Sequence, residues 1–155
     1  GEGGNPKDWP LQLDGGGFRL LTEAEWEYVC RSGMGTSYSF GNDRQLLRHY
    51  GWFQENSNQW SHPVGRLRPD HRGLFDLHGN LAEWCHDEYA DYDVSEAIDP
   101  FGPKGKIERR LLRGGGWNDD SGLCRSANRG SARPASRDSS YGFRVVLSGV
   151  VFGQD

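Results

Sequence analysis

The sequence predicts a loop-rich α+β domain, and three observations carry that reading. A capped amphipathic helix signal starts at Thr22, and short strand signals lie at residues 110–113 and 143–147. In addition, 23 glycines separate bulky aromatic residues in a chain that is only 34% hydrophobic. Aromatic side chains make up 12% of it, including 6 tryptophans. Few but large core residues joined by many tight turns suit such a fold better than a helical bundle. A chain of 155 residues fits one domain with one core.

The elements follow in order. Residues 1–17 are rich in Gly and Pro and read as a flexible lead-in, with the domain placed at 18–150. Thr22-Glu23-Ala24-Glu25 is a capping box: the Thr22 hydroxyl caps the first turn and Glu25 reaches back. Trp26, Val29 and Cys30 then fall at i, i+3 and i+4, so a short amphipathic helix ends near Gly33. From Tyr38 to Val64 aromatics alternate with Asn, Gly and Ser, which predicts long loops around short extended pieces. Gly79-Asn80 marks a turn, and residues 87–106 read as an acidic loop. Strands are expected at Arg110-Leu111-Leu112-Arg113 and at Phe143-Arg144-Val145-Val146-Leu147. No internal repeat or coiled-coil heptad is visible.

Composition excludes several functions. Net charge is -4 and the isoelectric point is near 5.7, so a general affinity for nucleic acid is not expected. Mean hydropathy is -0.82, and no apolar run approaches the roughly 20 residues that span a bilayer. The first residues lack a basic start and an apolar stretch, so no signal peptide shows and a cytoplasmic location is the expectation. Arg113, Arg125, Arg129, Arg133, Arg137 and Arg144 crowd the C-terminal part and read as donors of internal fork-like bonds.

Catalytic and metal motifs are sparse. Cys30, Cys85 and Cys124 show no zinc spacing. Cys30 reads as a buried thiol, whereas Cys85 and Cys124 leave two readings open, free thiols or a disulfide between them. His49, His62, His71, His78 and His86 form no pair at helical ligand spacing. Ser139 and Ser140 lack a nucleophile elbow, and Gly114-Gly115-Gly116 is not a phosphate loop. The turn at Gly79-Asn80 is more promising. Gly and Asn tolerate backbone angles that aim several carbonyls at one centre, and Glu83 could add the anionic oxygen that calcium needs. The alternative is that Asn80 and Glu83 only cap the turn.

Three segments carry a family resemblance: Arg19-Leu20-Leu21-Thr22-Glu23-Ala24-Glu25-Trp26-Glu27-Tyr28, Gly73-Leu74-Phe75-Asp76-Leu77-His78-Gly79-Asn80-Leu81-Ala82-Glu83-Trp84, and Arg113-Gly114-Gly115-Gly116-Trp117. In their order and spacing the chain resembles the formylglycine-generating enzyme (sulfatase-modifying factor) family, from about Phe18 to Leu147. The resemblance implies a C-type-lectin-like fold. It also implies an N-terminal β-hairpin, a first helix and a tryptophan-containing strand ahead of the helix, none of which is recognisable here. The expectation is a late start or a shorter lead-in. For the turn it implies a calcium ion held by the carbonyls of His78, Gly79 and Leu81 and by the side chain of Glu83.

In the resembled enzymes copper is held by two cysteine thiolates just after the Arg-Gly-Gly motif, five residues apart. Soft thiolates suit Cu(I). Counted from the glycines, those positions are Asp119 and Cys124; counted back from Arg129, the second is Ser121. The thiol pair is absent either way, so copper is not expected, and an oxidase would have to use Cys124 alone or with a thiol from elsewhere.

Residues 119–141 contain no Lys, Glu, Gln, Met or Trp. Asparagine codons randomised at their adenines give that vocabulary, and variable proteins of diversity-generating retroelements share the implied fold and vary here. The other reading is an ordinary polar loop with turn-forming residues. On the first reading Trp117, residues 124–129 and Gly142-Phe143-Arg144 form a frame. Asp119, Asp120, Ser121, Leu123, Gly130, Ser131, Ala132, Arg133, Ser136, Asp138, Ser139, Ser140 and Tyr141 are then displayed, and Phe143 belongs to a core strand.

The function expected is therefore a non-catalytic module that binds a protein or small-molecule ligand through its C-terminal loops. Family domains of this kind are often joined to signalling proteins, including kinases, and that context is expected here. A formylglycine-generating oxidase acting on a cysteine of sulfatase-type proteins is the alternative.

Overall fold

The structure, a computed structural model, describes residues 16–91 and 108–148. Nearly all of the expected lead-in and most of the expected acidic loop fall outside them. Thr22 caps α1 (Glu23–Arg31) as its sequence predicts: Glu25 N–H donates to Thr22 Oγ1 at 3.2 Å, and Thr22 N–H donates to Glu25 Oε2 at 2.9 Å. The helix closes on Ser32 in the left-handed conformation, with φ 51°. A 3-10 helix, Arg44–His49, follows, with Asp43 as its N-cap.

Among the described residues six short strands form two sheets. β1 (Gly17–Leu20) pairs antiparallel with β6 (Val145–Ser148). β2 (Ala82–Glu88), β3 (Arg110–Arg113), β4 (Gly130–Ala132) and β5 (Tyr141–Phe143) form the second, in the order β4-β3-β2-β5. β2 and β5 are parallel, and the other pairs of this sheet are antiparallel.

β3 lies where its sequence predicts, but the strand expected at 143–147 is two strands in different sheets. The break falls at Arg144, whose side chain turns inward to Glu83 and the Phe75 carbonyl while the backbone passes from one sheet to the other. Phe143 is consequently 69% exposed rather than part of the core. β2 was not legible as a strand because its inward positions include the carboxylates Glu83 and Asp87.

Side-chain alternation along β2 and β3 gives the larger sheet two covered faces. On one, Cys85 and Leu111 pack with Leu21, Trp26, Cys30 and Leu77 beneath α1. On the other, Ala82, Leu112 and Ala132 pack with Trp84 and Tyr141. A separate cluster of Tyr38, Leu47, Phe53 and Cys124 fixes the loops. Arg113, fully buried, joins α1 to the C-terminal segment. It pairs with Glu27, lies 5.2 Å from the Trp26 ring centroid, and donates to the carbonyls of Ser126 and Asn128 at 2.8 and 2.6 Å.

Candidate functional site

The Gly79-Asn80 turn is the knot that positions the loops. Gly79 has φ +123°, and a Cβ there would lie 2.3 Å from the Trp52 carbonyl oxygen. A Cβ on Gly51 would lie 1.7 Å from the His78 carbonyl oxygen, so the two backbones meet only because both positions are glycine. Asn80, at φ 66°, accepts from His62 N–H at 2.8 Å and donates to the His62 carbonyl at 3.0 Å through its amide. Its backbone N–H donates to the Trp52 carbonyl at 2.7 Å, and its carbonyl accepts from Trp117 N–H at 2.8 Å. One asparagine thus ties three loops together.

The His78 ring, rather than only its carbonyl, is a structural part of this knot. Ser39 N–H donates to Nε2 at 2.9 Å, so Nε2 is the acceptor and Nδ1 carries the proton donated to the Cys124 carbonyl at 2.9 Å. Burial lowers the imidazole to about 4 against a backbone bond to Cys124 that raises it, so the ring is neutral.

The Glu83 carboxylate, which the resemblance offers to calcium, is already engaged by protein donors. Its Oε1 accepts from Arg144 Nη2 at 2.7 Å, and its Oε2 accepts from Arg144 Nε at 3.1 Å and from Trp26 Nε1 at 2.7 Å. A divalent cation on these oxygens would sit against a guanidinium already in place, so Glu83 does not fit the ligand role that the resemblance implied. Chelation should accordingly leave the melting temperature unchanged, measured by circular dichroism with and without EDTA. A fall of several degrees would mean that an ion is bound despite Arg144.

The three thiols are free and buried, so Cys85 and Cys124 do not pair. They belong to different clusters: Cys85 packs under α1, and Cys124 packs with Tyr38, Leu47 and Phe53. Burial is the main cause that raises all three: Cys30 to about 12, and Cys85 and Cys124 well above the ordinary thiol value. Cys124 is therefore a packed thiol with no thiolate character at neutral pH.

The C-terminal segment is bolted at intervals. Trp117 Nε1 donates to the Ser139 carbonyl at 3.1 Å, Gln54 N–H to the Asp119 carbonyl at 2.9 Å, and the Tyr38 hydroxyl to the Ser121 carbonyl at 2.7 Å. Ser126 N–H donates to the Ser37 carbonyl at 2.9 Å. Between these bolts Asp120, Leu123, Arg133, Asp138 and Ser139 are exposed, while Asp119, Ser121, Ser131, Ser136 and Tyr141 are half-buried.

Several residues depart from the expected division into frame and display. Ala132 and Ser140, expected outside, are buried at 5% exposure each. Ala132 fills the sheet face with Leu112, and Ser140 donates its hydroxyl to Asp138 at 2.7 Å. Arg125, Ala127 and Phe143, expected in the frame, are exposed. Asp119 turns inward, its Oδ2 accepting from Gly116 N–H at 2.8 Å. Of the arginines, Arg113, Arg129 and Arg144 make the internal pairs expected of them, with Glu27, Glu23 and Glu83. Arg133 and Arg137 point outward. The interlocking of His78 with Cys124 was not legible, since 46 residues separate them.

Residues 4–148 match the family described as the sulfatase-modifying factor enzyme 1-like domain. The chain is 36% identical to the formylglycine-generating enzyme of Streptomyces coelicolor, covering 84% of this chain and 46% of that protein. It is 35% identical to the serine/threonine-protein kinase Pkn1 of Chlamydia trachomatis, covering 84% of this chain and 21% of the kinase. Among solved structures it is similar to Treponema denticola variable protein 1, with a TM-score of 0.82 and 37% identity over 87% of this chain and 49% of that one. The chain thus spans less than half the length of each. The short mixed sheets and few helices are the C-type-lectin-like α+β arrangement expected from the sequence. Among the described residues no helix is long and apolar enough to cross a membrane.

Proposed function

We propose that this chain, which belongs to the sulfatase-modifying factor enzyme 1-like (formylglycine-generating) family, is a non-catalytic binding member of it. Its C-terminal loops present side chains to a protein or small-molecule ligand. The observation that carries this reading is the division within residues 117–141. Backbone carbonyls at Asp119, Ser121, Ser126 and Ser139 are tied to the frame, while Asp120, Leu123, Arg133, Asp138 and Ser139 reach solvent between the ties. A surface held this way varies its side chains without moving its backbone. Similarity to a protein called a variable protein supports the same assignment, with loop residues open to diversification. Similarity to Pkn1 supports a place for such a module beside a signalling domain in a longer polypeptide.

The test is tolerance. Leu123, Arg133, Arg137 and Ser139 are exposed and make no side-chain hydrogen bond or ion pair among the described residues. Replacing all four with serine or alanine should cost no more than about 2 kcal/mol, since exposed changes lie within about 0.5 kcal/mol each. Denaturant unfolding measures this directly. A larger loss would make these loops structural and remove the display reading.

Identity to formylglycine-generating enzymes favours a second reading, oxidation of a substrate cysteine. Against it stand the buried Cys124 and the absence of a neighbouring thiol at Asp119 or Ser121. The purified chain should leave a sulfatase-type cysteine peptide unconverted, with or without added copper, as read by mass spectrometry. Formylglycine that disappears in Cys124→Ala would establish the oxidase instead.

A further inference from the structure

We infer that the surface formed by the 3-10 helix Arg44–His49 and residues 66–68, which are not part of the C-terminal segment 119–141, docks an acidic segment of a partner protein. The two pieces are joined by a backbone bond, Arg68 N–H donating to the His49 carbonyl at 2.8 Å. Arg48, His49, Arg66 and Arg68 are all exposed around that bond.

These arginines differ from the ion-paired ones of the fold, although Arg133 and Arg137 share their lack of a counter-charge among the described residues. Arg19, Arg31, Arg113, Arg129 and Arg144 each hold a glutamate. Among the described residues the side chains of Arg48, Arg66 and Arg68 make neither an ion pair nor a hydrogen bond.

The nearby carboxylates are engaged elsewhere or stand apart. Asp43 accepts from Gln45 N–H at 2.9 Å, and Asp76 accepts from Gly65 N–H at 2.8 Å. Asp70, buried, accepts from Arg72 N–H at 2.9 Å, from Leu74 N–H at 2.8 Å and from the Ser32 hydroxyl at 3.0 Å. Glu55 is exposed beside Asn56, whose side chain reaches the Arg48 carbonyl at 3.4 Å, yet among the described residues it makes no ion pair. Unpaired guanidinium forks on these two adjoining segments match carboxylates, which they bind in a two-pronged geometry.

The partner chemistry follows from the surroundings. Leu46 lies one 3-10 turn from His49, on the same side, and is 41% exposed, so the basic surface carries an apolar contact. That mixture suits a segment with acidic and apolar side chains.

The experiment is fluorescence anisotropy of the full chain against a short labelled Glu-rich peptide carrying one leucine, at low and at physiological salt. Saturable binding is expected, weaker at higher salt, and weakened at least about tenfold by Arg66→Glu with Arg68→Glu. Arg133→Glu, on the C-terminal loops, should leave it unchanged. Should the double variant not fold, Arg48→Gln alone should still weaken binding. The inference is overturned by no saturable binding, by equal binding in the arginine variants, or by tighter binding of a single-stranded oligonucleotide of similar length.

Discussion

Glu83→Ala should destabilise the chain by about 3–5 kcal/mol, the cost of breaking a buried ion pair from one side. Glu83 is 7% exposed, and its two oxygens accept three hydrogen bonds from Arg144 and Trp26. Alanine leaves the guanidinium without its counter-charge and the indole N–H without its acceptor, at the point where β5 gives way to β6. The comparison is Arg31→Ala, which removes a pair one helical turn apart whose glutamate is 23% exposed against 9% for the Glu83 side chain. That change should cost only about 0.3–0.5 kcal/mol. Urea unfolding of both variants decides the matter. If Glu83→Ala costs no more than Arg31→Ala, Glu83 does not anchor the junction between the sheets.

The same residue shows how far the sequence could be read. Local signals were dependable: Thr22 and Glu25 form the capping box, and residues 110–113 form β3, because neighbours in the chain decide both. Motif order was dependable too, since three spaced segments carry the family and with it the fold. Side-chain partners at long range were not. Glu83 in a Gly-Asn turn suits a cation ligand equally well until Arg144, 61 residues on, is seen to occupy it.

Phe143 illustrates a different failure. An apolar run of residues 143–147 looks continuous, but a single inward arginine divides it between two sheets and leaves the aromatic ring outside. Within the C-terminal loops, small polar residues give no hint of which are buried. Ser140 and Ser139 are adjacent and alike, yet only Ser140 is enclosed.

His78 sets the second large effect, a loss of stability in mild acid. Its ring is 1% exposed, accepts from Ser39 N–H, donates to the Cys124 carbonyl, and meets the Tyr38 and Phe40 rings edge-on at 5.5 and 5.6 Å. A proton on Nε2 would face the Ser39 N–H donor, so the fold holds the neutral form. Burial lowers the folded imidazole from 6.5 to about 4. The unfolded chain therefore binds more protons in that interval, and the stabilisation is complete above pH 6.5 and is lost as pH falls toward about 4. At about 1.4 kcal/mol per pH unit, roughly 2 kcal/mol should disappear between pH 6.5 and about 5, before most carboxylates titrate. His86 is lowered too, chiefly by burial, so His86→Asn is the needed control. Urea unfolding across that range should give a steep slope in the parent and in His86→Asn, and a shallow one in His78→Asn. An unchanged slope in His78→Asn would mean that the buried imidazole does not govern the acid limb.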